Sequence, residues 1–149
     1  MADDQNLPSY AGDVDVTTAW QLLKDNPDAQ LVDVRTAAEW SFTGVADLSA
    51  LGREAHLIEW QMFPSMAPNP GFVAAVSDTV ARSGARKDTP LLFLCRSGAR
   101  SRAAAIAMAK AGYSRAYNLA GGFEGDLDQD RHRGRTNGWK AASLPWRQT

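Results

Sequence analysis

The sequence predicts an α/β fold, a mainly parallel sheet covered by helices on both faces. Two observations point to it. Short apolar and β-branched runs alternate with helix-length amphipathic patterns from Asp13 to Asn118. The connections between successive strand candidates are long enough for right-handed crossovers, which make neighbouring strands parallel. A length of 149 residues suits one domain whose core needs no disulfide, and the single cysteine forbids an internal one.

Residues 1–12 are polar and are expected to form a flexible N-terminal segment ahead of a domain spanning 13–149. Asp13 to Val16 reads as a first strand. Thr17 then caps a helix over Thr18 to Asp25, with Ala19, Leu22 and Leu23 as its apolar stripe, and Asn26-Pro27-Asp28 stops it. Gln30 to Val34 is a second strand leading into a short helix from Ala37 to Ser41, and Ala55 to Glu59 is a third strand. Asn69 caps and Pro70 opens a helix running to Ser83-Gly84. Leu91 to Leu94 is a buried strand, Ser101 to Ala111 a helix closed by Gly112, and Ala116 to Asn118 the fifth strand.

Cys95 therefore lies on the turn between a buried strand and a helix. A lone cysteine at such a strand end is ordinarily inert packing. Here it is followed by Arg96-Ser97-Gly98-Ala99-Arg100-Ser101, two cations around small residues that let backbone approach a ligand. Successive N–H groups of the turn and the start of the following helix stabilise negative charge, which favours a thiolate and makes Cys95 a candidate nucleophile. Ligands of open parallel sheets bind beyond the carboxyl ends of the strands. The segment Asp33-Val34-Arg35 ends there too and is expected to share the pocket mouth.

Several classes are set aside. The net charge of −1 gives no global field for nucleic acid, and no apolar run approaches membrane-span length. With no leader-like start, the expectation is a soluble cytoplasmic protein. His56, His132 and Cys95 offer no metal-ligand spacing, and the glycines at 121, 122 and 125 fit no dinucleotide fingerprint, so no cofactor is expected. Nothing in the sequence indicates an oligomeric state.

The segments LVDVRTAAEW, CRSGARS opening a helix, NLAGGFEG and GWKAASLPW resemble, in order and spacing, the single-domain rhodanese-like sulfurtransferases. The resemblance implies a three-layer sandwich around a five-stranded, mostly parallel sheet. It also implies that Cys95 takes a sulfane sulfur from a small anionic donor such as thiosulfate, or from a persulfide, and passes it to a thiol or protein acceptor. Such chemistry is covalent catalysis in two steps, with the loop N–H groups and nearby guanidinium groups stabilising anions at each stage. Phosphatases related to this fold place five residues between cysteine and arginine. Here the arginine comes one place earlier, at Arg100, and Ser101 holds the phosphatase position. A partner-binding module of the same fold is the other alternative. The stretch after Trp40 and the segment 126–137 depart from the family pattern and are expected near the pocket rim.

Other residues carry two readings each. Asp33 either accepts N–H bonds from the active loop or caps the next helix. Arg35 either reaches a substrate anion or pairs with Glu39 four residues on. Arg100 either meets the anion or braces the loop through an acidic neighbour, while Arg102 is expected in solvent. Arg131, His132, Arg133 and Arg135 form either a cationic rim or a loop neutralised by Asp126, Asp128 and Asp130. Trp60, Met62, Phe63 and Met66 either complete the core or form a docking wall. Trp139 and Trp146 are expected to cover the core.

Overall fold

The computed structural model describes residues 10–148, so the flexibility expected of residues 1–9 lies outside the described residues. In chain order the elements are β1 (Gly12–Val14), α1 (Val16–Asp25), β2 (Gln30–Asp33), α2 (Ala37–Thr43), β3 (Val45–Ala46) and a 3-10 turn (Ser49–Leu51). They continue with β4 (His56–Leu57), β5 (Gln61–Met62), β6 (Ala67–Pro68), α3 (Phe72–Arg82), β7 (Leu91–Leu94), α4 (Ala99–Lys110), β8 (Ala116–Leu119) and β9 (Trp146–Arg147). The central sheet has five strands in the order β1-β8-β7-β2-β4, every neighbouring pair parallel.

Alternation along the strands decides how the sheet is covered. Leu91 and Phe93 face the same side as Val32 and Val34, where Phe72, Val76 and Val80 of α3 and Ala104, Ala105 and Met108 of α4 close the core. Leu31, Leu92 and Leu94 face the other side, closed by Val16, Ala19 and Leu23 of α1 and by Phe123 and Trp139. Every residue of β2 and β7 is buried, as befits strands covered on both faces. The result is the expected three-layer α/β sandwich.

Several boundaries differ. Asp15, not Thr17, caps α1; its carboxylate accepts the Thr18 N–H at 2.7 Å. α2 runs to Thr43 behind a capping box made by Thr36 and Glu39. α3 starts at Phe72 because Asn69 uses its side-chain oxygen on the Gly71 N–H, 3.1 Å away, in a turn that leaves Pro70 outside the helix. α4 starts at Ala99, which puts Arg100 and Ser101 in its first turn. The antiparallel pairs β5–β6 and β3–β9 were not anticipated, since two-residue strands carry no periodicity to read.

Candidate functional site

All five sheet strands point one way, and β7 delivers Cys95 to the carboxyl edge. The residue is 1% exposed. Its sulfur receives the Gly98 N–H at 3.1 Å, and the Ser101 hydroxyl also lies 3.1 Å away. Gly98 has φ 128° and precedes α4 with no side-chain cap, a backbone state that favours glycine. The turn therefore aims one backbone N–H at the sulfur and sets a hydroxyl beside it.

A second segment holds the loop from behind. The Phe123 N–H donates to the Cys95 carbonyl at 2.8 Å, and those of Glu124 and Gly125 donate to the Arg96 carbonyl at 3.0 and 3.1 Å. With these carbonyls engaged outward, the loop is free to turn the Gly98 N–H toward the sulfur. Gly122 passes so close that a Cβ there would stand 2.5 Å from the Cys95 carbonyl oxygen, and its φ is 62°. Trp139 in turn donates its N–H to the Gly122 carbonyl at 2.8 Å. The sequence reading assigned this Gly-Gly-Phe-Glu-Gly run no role at the site, although its clustered glycines signal close backbone approach.

The charged residues sort differently from expectation. Glu39 pairs not with Arg35 but with Arg100, in a two-pronged contact at 2.7 and 2.9 Å. Burial alone would raise the Glu39 carboxyl, but the Arg100 hydrogen bonds, aided by Thr36, outweigh it and hold the group at about 2. The same bonds raise Arg100 above its ordinary value. Arg35 is fully buried and does not line the groove beside the loop. Its guanidinium donates to Asp33 at 2.7 Å, to the Thr43 hydroxyl at 2.7 Å and to the Gly44 carbonyl at 2.8 Å, and lies 4.3 Å above the Phe123 ring. Asp33 is the counter-ion of that brace and neither caps α2 nor receives N–H groups of the cysteine loop.

Beside the loop runs a groove of about 410 Å³ lined by Arg96 and Arg100, by Thr36, Glu39, Phe42 and Thr43 of the α2 region, and by Gln61, Phe63 and Met66. Phe42 and Phe63 are 81% and 63% exposed. Trp60 instead joins the core, edge-on to Phe72 at 4.9 Å. Residues 126–137 do not line this groove. There Asp128 accepts the N–H groups of Asp130 and His132 and faces Arg135 at 3.7 Å, so the segment is largely neutralised from within. Trp139 is fully buried, whereas Trp146 stays 40% exposed. Among the described residues no helix is long and apolar enough to cross a membrane, and no cluster of three or more His, Cys, Asp or Glu side chains is placed to hold a metal ion.

The sequence pattern of the Rhodanese-like domain family matches residues 15–128. The chain belongs to the rhodanese-like family. This rhodanese-like chain is 49% identical to Rv0390 from M. tuberculosis, whose crystal structure matches with a TM-score of 0.83 over 94% of this chain and 99% of that one. It is 34% identical over 111 residues to a protein named sulfurtransferase from Allochromatium vinosum, covering 74% of this chain and 83% of the relative. The polysulfide-sulfur transferase homodimer from Wolinella succinogenes shares the rhodanese-like fold, with a TM-score of 0.57 and 19% identity over 99% of this chain and 86% of that one.

Proposed function

We propose that this rhodanese-like protein is a sulfurtransferase that carries sulfane sulfur as a persulfide on Cys95. The observation that carries the reading is the Gly98 N–H aimed at the Cys95 sulfur from the turn before α4, with the Ser101 oxygen 3.1 Å from the same atom. The Cys95 thiolate attacks the outer sulfur of a thiosulfate-like donor; the new S–S bond forms as the donor's own S–S bond breaks and sulfite leaves with that electron pair. An acceptor thiolate then attacks the outer sulfur of the persulfide and regenerates the Cys95 thiolate. Burial of Cys95 fits a small donor, since at 1% exposure a bulky one cannot approach the sulfur. Once loaded, the transferable sulfur stands one S–S bond length, about 2 Å, from the Cys95 sulfur. Arg96 on the groove supplies positive charge for the anionic donor and for the departing sulfite, while Arg100, paired with Glu39, braces the loop. The name of the A. vinosum relative supports the same activity.

Brief incubation with thiosulfate followed by intact-mass measurement tests the reading. The wild-type protein is expected to gain one sulfur atom, lost again on adding a small thiol, and Cys95→Ser to gain none. An unchanged wild-type mass across thiosulfate and persulfide donors would falsify it. In that outcome a partner-binding role for the fold gains ground, and release of phosphate from an aryl phosphate would point to the phosphatase chemistry.

A further inference from the structure

The Ser101 hydroxyl is contested. Its oxygen lies 3.1 Å from the Cys95 sulfur and 2.5 Å from the side-chain oxygen of Asn118. Ser101 is fully buried and Asn118 is 4% exposed, so neither has solvent to satisfy it. Asn118 stands on β8 opposite Phe93 of β7 on one side and opposite Asp13 of β1 on the other. Its side-chain nitrogen donates to the Asp13 carboxylate at 3.1 Å, and the same carboxylate oxygen accepts the Tyr10 hydroxyl at 2.7 Å. Three hydrogen bonds thus connect Cys95 to Asp13, an exposed residue on the edge strand two strands away.

Donor and acceptor roles along this chain are dictated. A carboxylate only accepts, so Asn118 must turn its NH2 group toward Asp13 and its carbonyl oxygen toward Ser101. Asp13 is kept ionised: the Tyr10 hydrogen bond, helped by Asn118, lowers its carboxyl below the usual value. A carbonyl oxygen also only accepts, so Ser101 gives Asn118 its single proton and offers Cys95 a lone pair, which suits a thiol S–H. A thiolate or persulfide anion needs that proton itself, and the hydroxyl must then leave Asn118 and turn to sulfur.

We propose that Asp13 is a positioning residue which, by fixing the orientation of Asn118, holds the Ser101 proton away from Cys95 and so sets the pH at which the sulfur becomes reactive. The thiol proton leaves to solvent, Ser101 rotates without net proton transfer, and Asp13 stays charged throughout. Other charges bear on the two ends. Arg100 from α4, paired with Glu39 of α2, and the buried Asp33–Arg35 pair lie toward Cys95; Arg102 and Tyr10 face Asp13. The groups toward Cys95 are untouched when Asp13 alone is changed, whereas Tyr10 loses the carboxylate to which it donates. The assignment rests on the reading of Cys95 as the reacting sulfur, but it makes its own prediction for the bare thiol.

The test is the rate of Cys95 alkylation by iodoacetamide against pH, which needs no sulfur transfer. Asp13→Ala frees Asn118 to flip its NH2 toward Ser101, and the alkylation midpoint is expected to fall by about half a pH unit, a gain of about threefold in rate on the acid side. Asp13→Asn still offers a carbonyl oxygen to Asn118 and is expected to stay near the wild-type midpoint. In a Ser101→Ala background, Asp13→Ala is expected to shift nothing. An unshifted Asp13→Ala, equal shifts in Asp13→Ala and Asp13→Asn, or a shift that survives Ser101→Ala would each overturn the proposal. The first outcome leaves Asp13 without influence on the thiol, the second reduces it to a bare charge, and the third removes Ser101 from the route. Failure of sulfur uptake with the alkylation pattern intact would instead count against the transferase reading alone.

Discussion

A carboxylate held at about 2 in the folded protein, against about 4.5 for an unconstrained glutamate, makes the Glu39–Arg100 pair a pH-dependent source of stability. Its contribution is fully present above pH 4.5 and is lost as pH falls through 2. Glu39→Gln is therefore expected to lower stability at neutral pH by about 1–2 kcal/mol, a modest figure for a partly exposed pair. Urea midpoints compared with wild type should show that gap closing between pH 4.5 and 2. The partner was not readable from spacing. Arg35 and Glu39 are four apart, which suggests a helical pair, but α2 begins only at Ala37, so Arg35 sits outside the helix and its side chain turns into the core. Arg100 lies 61 positions away, a distance that only the tertiary fold closes. Cys95 and its loop were legible because their chemistry is local: strand end, small residues and helix start are consecutive in the chain.

At the level of elements, the Gly122 segment is the support on which the cysteine turn rests. Gly122→Ala would press a methyl group against the Cys95 carbonyl and the Arg96 backbone at 2.5–2.6 Å in a left-handed conformation, and neither neighbour is a side chain that can swing aside. A loss of about 2–4 kcal/mol is expected, visible as a lower melting temperature together with an altered alkylation rate at Cys95. Strands and long helices were legible from their apolar periods. The start of α4 was not, because Gly98 opens it through its backbone angle with no side-chain cap to announce it. The β5–β6 hairpin escaped for the opposite reason. Its residues Met62 and Phe63 are apolar yet exposed, so hydrophobicity left core and docking wall equally open for them.

On the scale of the whole molecule, that hairpin and α2 set a bare apolar wall beside Arg96 and the Glu39–Arg100 pair, on a chain whose net charge is only −1. Phe42→Ser combined with Phe63→Ser is expected to leave the melting temperature within about 2 °C, since both rings are mostly exposed. Binding of the dye anilinonaphthalene sulfonate should fall, and unchanged dye fluorescence would show that the wall is not the open apolar surface described. The chain of support behind the cysteine also has a consequence in time. Ribosomes make proteins from the N-terminus, and β2 and β7 can meet while the rest is still being made. The Cys95 and Arg96 carbonyls, however, wait for Phe123 to Gly125, which in turn wait for Trp139 and Lys140. During synthesis the thiol passes through a period when its strand is in place and its cradle is not.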